Sequence, residues 1–211
     1  GVLSFTGSAL TVNAAVTTGD AVGVVNTGNF TTSASGDINV TGAFTQSGTG
    51  ANNLSGDIAT TGNISFLSAV ELTGNIAATA VGTNSTISFA DTINSSTTVA
   101  RNLTLSAGKD ILLSGALGGT NKLGALALNG TGITRLSDTV AAPSVASDAA
   151  GTSELFGNVT TTGGAQAYAD SKLQLKSDIV LTGTTVTVGT VEGEAHALTV
   201  TGNALLGTAG G

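Results

Sequence analysis

Residues 35–44 read "SGDINVTGAF", and residues 55–64 read "SGDIATTGNI". Twenty positions apart, they share the template Asp-Ile-x-x-[Thr/Ser]-Gly, as Asp37 to Gly42 and as Asp57 to Gly62. The template returns as Asp110 to Gly115 and Asp178 to Gly183, off whole multiples of twenty, so the unit varies in length. A shortened form, Gly-Asn-apolar, stands at Gly28-Asn29-Phe30, Gly74-Asn75-Ile76, Gly157-Asn158-Val159 and Gly202-Asn203-Ala204. Loose self-similarity at a period near twenty marks a chain of stacked units, none of which buries its apolar face alone.

Between these markers apolar and small polar residues alternate. "NLTLSAGKDILLSG" (102–115) sets Leu103 and Leu105 on one face, and "TTVTVGTV" (184–191) does the same with Val186 and Val188. "GALALNG" (124–130) and "ALTVTG" (197–202) repeat the device. Period-two runs of four to six residues, each closed by Gly, Asn or Asp, predict short strands joined by tight turns. Helical spacing is nearly absent, and so many Gly would weaken most helices by about 1 kcal/mol each relative to Ala.

Composition constrains the packing and the partners. The chain has 211 residues, of which 40% are hydrophobic but only 3% aromatic, so small aliphatics must fill its core. Mean hydropathy is +0.35, which excludes a disordered chain. Charged residues are 9%, well below the roughly 25% of an ordinary soluble domain, which leaves Thr, Ser, Asn and Gly to cover the surface. A net charge of −7, with six Lys and Arg spread singly, offers no positive stripe for nucleic acid or an anionic membrane surface. No apolar run approaches the ~18–20 residues that span a bilayer. There is no Cys, hence no disulfide and no thiolate metal site. Gly1 in place of an initiating Met, without a basic-then-apolar leader, is the pattern of a processed chain or a piece of a longer one.

Short strands with frequent turns also suit a sandwich or antiparallel barrel. The repeated phrase and the lack of aromatics decide against those. A sandwich fills a gap of about 10 Å with large side chains, whereas a coil of parallel strands sets each Leu, Ile or Val on its equivalent ~4.8 Å away. The expected fold is therefore all-β: a parallel β-helix, or β-solenoid, of irregular ~20-residue coils, forming a rod roughly 50 Å long. In each template the Asp (37, 57, 110, 178) is expected to bond backbone at a corner, with Ile inward. The Gly (42, 62, 115, 183) is expected to take the positive φ that ends the strand.

Two stretches carry a family resemblance. "TTGGAQAYADSKLQLKSDIVLTGTTVTVGTVEGEAHALTVTGNALLG" (161–207) resembles the recurring unit of giant secreted bacterial proteins of the filamentous-haemagglutinin-like, β-strand-repeat type. "ARNLTLSAGKDILLSGAL" (100–117) is similar to the same repeats. The resemblance implies a right-handed parallel β-helix in a long fibre, exported by a two-partner or autotransporter route and used for adhesion, matrix or surface-layer building. The family's secretion signal domain and outer-membrane barrel are not in this sequence. On this reading residues 1–211 are one solenoid segment of a longer chain or fibre, at the outer surface of a bacterium or outside it.

"VAAPSVASDAAGTSELFG" (140–157) breaks the rhythm and holds the single Pro. Pro143 lacks the N–H that a central ladder needs, so a loop excursion is expected here, either a partner contact or a tolerated insertion.

Candidate chemistry is sparse. His196 is the single histidine, and Glu192, Glu194 and His196 are spaced to share one strand face. A carboxylate beside a His can tune a general base, but alternation also places all three on a solvated face. Arg135 and Asp138 are expected to form a surface pair. No calcium-type nonapeptide, phosphate loop or nucleophile elbow occurs, and neither a cofactor nor a metal is expected. Asn-x-[Ser/Thr] stands at Asn29, Asn39, Asn53, Asn63, Asn84, Asn94, Asn102, Asn129 and Asn158. Some adhesins of the resembled family carry sugars on Asn, though a chain rich in Asn and Thr produces this tripeptide by chance.

Three function classes follow. The first is a non-catalytic structural or adhesive rod that associates end to end or with flanking repeats and meets a cell-surface or matrix glycan. The second is an ice- or carbohydrate-binding β-helix, suggested by Thr185-Val186-Thr187 and Thr199-Val200-Thr201. The third is a polysaccharide-degrading β-helix enzyme working through Glu192, Glu194 and His196.

Overall fold

A computed structural model describes residues 2–97 and 99–207; the single-segment reading of 1–211 also takes in residues 1, 98 and 208–211, which lie outside the described residues. All regular structure among the described residues is β-strand, paired in parallel. Three short strands make one winding. Leu3–Gly7, Leu10–Val12 and Val16–Thr18 form the first, and Val22–Asn26, Phe30–Thr32 and Ile38–Val40 stack on them. The alternation read in the sequence is what aims each strand: inward residues are buried and their neighbours face out, as in Ile38-Asn39-Val40.

The first face is a ten-stranded sheet, so the solenoid has ten windings. On the second face a five-stranded sheet is carried on by single bridges from Ile93 through Leu117 to Val140. Near the C-terminal end, Ile179–Val188 and Leu198–Leu206 run through the corner between the second and third faces, with a register irregularity between Thr182 and Thr185. Paired positions differ by 18 residues at Leu173 and Val191, and by 24 at Ile87 and Ile111. The added residues sit in corners while the strands keep register. That is why the phrase repeats faithfully and its period does not.

The interior is aliphatic with an aromatic stack. Phe30, Phe44, Phe66 and Phe89 follow one another through four windings with centroids 6.0, 5.3 and 5.0 Å apart. All four are at most 3% exposed. Each fully buried side chain contributes roughly 1.5–3 kcal/mol, and a winding realises that only with neighbours above and below.

The structure corrects two expectations. Residues 140–157 do not leave the coil: Val140–Ala142, Val145–Ser147 and Thr152–Leu155 join the ladders of the three faces. Pro143 falls in the corner between the first two of these strands, outside both ladders, so its missing N–H breaks nothing. Nor do the template glycines carry positive φ, which among described glycines belongs to Gly118, Gly151, Gly163 and Gly202. Close approach is the reason for glycine instead. A Cβ on Gly42 would lie 2.5 Å from Ala21 N, and one on Gly62 would lie 2.8 Å from Ala43 N.

Candidate functional site

The template acids sit at corners and act between windings. Asp57 N–H donates to Asp37 Oδ1 (2.9 Å), Ala77 N–H to Asp57 Oδ1 (2.8 Å), Ile133 N–H to Asp110 Oδ1 (2.8 Å) and Ala197 N–H to Asp178 Oδ1 (2.9 Å). Asparagine does the same work. Asn63, Asn75, Asn94, Asn102 and Asn158 each accept a backbone N–H from a residue 22 to 27 positions later. Eight of these nine side chains directly precede an inward Ile, Leu or Val. The amide and the carboxylate are equivalent because only one acceptor oxygen is used. Asp57→Asn is therefore expected to leave the urea midpoint unchanged, whereas Asp57→Ala is expected to lower stability by about 1 kcal/mol.

Glu192, Glu194 and His196 do not share a strand face. Glu192 ends the two-residue strand Val191–Glu192, and the chain then turns through Glu194 (φ 48°) and Ala195 (φ 72°), closed by His196 N–H to Gly193 O (2.7 Å). Each of the three faces its own partner on the preceding winding. Glu192 accepts from Lys172 Nζ (3.1 Å) and Gln174 Nε2 (2.7 Å), Glu194 from Lys176 Nζ (2.9 Å), and His196 Nδ1 is 3.6 Å from Asp178 Oδ1. The hydrogen bonds from Gln174 and then Lys172 hold the Glu192 carboxyl below the usual carboxylate range.

The Glu192 contact with Gln174 belongs to a charged row on the outside of the first face, where Arg135, Glu154, Gln174 and Glu192 lie in line. Arg135 Nε bonds Glu154 Oε2 at 2.8 Å and its guanidinium lies 5.7 Å from the Phe156 ring centroid. The expected pair with Asp138 is thus replaced: the next winding, ~4.8 Å away, is nearer than a residue three along the chain, beyond the strand's end at Leu136. All six Lys and Arg lie between residues 101 and 176, so these cross-winding pairs are confined to the later windings.

A buried acid, which the sequence reading did not single out, stands inside the corner between the third and first faces. Asp170 is 4% exposed; Ser147 Oγ and Ser153 Oγ both donate to its Oδ2, the latter at 2.6 Å, and Oδ1 has no hydrogen-bond partner. Burial, the largest influence, together with Asp148 raises its pKa, while the serine bonds oppose the rise. Nearby, Tyr168 donates to Gln166 Oε1 (3.1 Å), and burial, with Asp170, pushes its phenol up. An acid raised in the folded state holds its proton more tightly there than in the unfolded chain. Its contribution is present below the unfolded value and lost as pH rises through the folded one. Wild type is expected to lose stability as pH rises above the ordinary carboxylate range, and Asp170→Asn to lose less, as read by urea midpoints along that rise.

The two Thr-Val-Thr phrases fall on different faces. Thr199 and Thr201 pair with Val180 and Thr182 on the second face, whereas Thr185 and Thr187 pair with Asn203 and Leu205 on the third. They form no common array. Among the described residues no group of three or more His, Cys, Asp or Glu is placed to hold a metal, and no helix is long and apolar enough to cross a membrane. No protein-family model, curated protein or solved structure matches the chain.

Proposed function

We propose that this chain is a non-catalytic structural rod segment of an extracellular bacterial fibre, whose product is length and rigidity. The observation that carries this reading is the unbroken succession of ten windings on one aliphatic interior. The surface supports it: over the first five windings the outward column Ser4, Gly23, Thr45, Ser65 and Ser88 is small and uncharged, suited to packing many copies without charge repulsion. The ionic contacts also support it, since Glu192 and Glu194 are each tied to a lysine one winding away. The fibre's extracellular setting rests on the resemblance carried by residues 100–117 and 161–207.

Immunogold electron microscopy of the source cells, with antibody to this chain, tests the reading. Gold aligned along surface or secreted filaments is the expected result. Gold confined to the cell interior would overturn the setting, and polysaccharide turnover lost in His196→Ala would overturn the non-catalytic role.

A further inference from the structure

The aliphatic interior turns polar at the corner that holds Asp170. Thr134 and Ser147 belong to one winding, Ser153 and Asp170 to the next, and all four are at most 9% exposed. Thr134 pairs in register with Ser153, whose hydroxyl donates to Asp170 Oδ2 at 2.6 Å. The Ser147 hydroxyl donates to the same oxygen and accepts Ala169 N–H at 3.2 Å. Two oxygens of this cluster, Asp170 Oδ1 and Thr134 Oγ1, are buried and have no hydrogen-bond partner in the protein. No basic side chain compensates the acid either. The flanking bases, Arg135 and Lys172, are engaged by Glu154 and Glu192 on the outside of the first face. Asp148, partly exposed and accepting Ala150 N–H at 3.4 Å, adds a second negative field without joining the cluster.

We propose that Asp170, with Thr134, Ser147 and Ser153, holds a monovalent cation of sodium's size between these two windings. A buried carboxylate demands a positive partner, and oxygen donors alone suit a hard cation. The charge count selects the ion. One carboxylate among neutral hydroxyls balances a single positive charge, whereas a divalent ion would leave an uncompensated charge in the interior. Asp170 Oδ1 and Thr134 Oγ1 are the oxygens that face the ion. The two serine hydroxyls spend their protons on Oδ2 and keep lone pairs to offer it. Such a site differs in kind from a centre built of three or more His, Cys, Asp or Glu. Its ligands come from neighbouring windings, so the bound ion ties one winding to the next. The inference goes beyond the rod reading and does not depend on it.

Urea unfolding of the whole chain, at one alkaline pH and one ionic strength, tests this in sodium chloride against choline chloride, whose cation is too large for the site. A ligand that binds only the folded state lowers the unfolding equilibrium constant by one plus the ratio of its free concentration to Kd. Sodium at ten times its Kd should therefore lower that constant about elevenfold. Asp170→Asn should lose the response. Thr134→Val removes only an orphaned hydroxyl, so it should be at least as stable as wild type in choline and yet lose the sodium response. Crystals soaked in a thallium(I) salt should show an anomalous peak beside Asp170 Oδ1 and Thr134 Oγ1. Equal midpoints in sodium and choline would overturn the inference, as would a sodium response that survives in Thr134→Val. A larger response to calcium chloride would overturn the choice of a monovalent ion.

Discussion

Phe44→Ala is expected to lower the unfolding free energy by about 3–5 kcal/mol, the range for truncating a fully buried aromatic. Phe44 is 0% exposed and stacks between Phe30 at 6.0 Å and Phe66 at 5.3 Å, so its loss leaves two other rings facing a void. The architecture amplifies the damage. Windings touch only their neighbours, so a void in the third winding uncouples the first two from the seven beyond it. Urea unfolding followed by far-UV circular dichroism should therefore split into two transitions, the earlier belonging to the N-terminal windings. A single transition at the wild-type midpoint would contradict this account of the core. Phe156→Ala is the control: this ring is 40% exposed beneath Arg135, and its removal should cost under about 1 kcal/mol.

The second large effect concerns backbone approach. A Cβ on Gly48 would lie 1.9 Å from the carbonyl oxygen of Asn26 and 2.2 Å from its nitrogen. Neither atom can swing aside, because both are backbone. The Asn26 side chain is held as well, accepting Gln46 Nε2 at 2.8 Å and donating to Gly28 O at 2.7 Å. Gly48→Ala must push two windings apart and is expected to cost about 3 kcal/mol or more, at the top of the overpacking range. Gly19→Ala meets nothing within 4 Å and should be neutral or stabilising by up to about 1 kcal/mol, through a less flexible unfolded chain. Thermal midpoints of the two variants, measured side by side, decide it. A Gly48→Ala protein that melts with wild type would show that winding-to-winding distance is not limiting.

Much of the fold was legible because local and global signals coincide. The alternation of Leu103, Leu105, Leu126 and Leu128 gives both the strands and their inward faces, and these residues stack in register as Leu103 with Leu126 and Leu105 with Leu128. The Asp-Ile phrase marks corners because its carboxylate reaches the next winding. Asn63 and Asn102 escaped notice although the same signal, an Asn just before an aliphatic, is present at both. Pro143 misled, because a proline is compatible with any coil whose corners lie outside the ladders. Pairings such as Arg135 with Glu154 depend on corners whose lengths make the winding vary from 18 to 27 residues, which no local pattern encodes. Asp170 follows the strand Gln166–Tyr168, and nothing in "YADSK" distinguishes a corner acid that points inward from one that points out.

The ladders joining one winding to the next all run along the long axis. A tensile load applied along that axis therefore bears on them in series, one layer after another. Each layer that peels off surrenders 18 to 27 residues of contour, roughly 60–95 Å of slack. The molecule would thus behave under strain as a spring-loaded tether, lengthening in steps set by the length of each winding and recoiling when released, rather than snapping at one weak point.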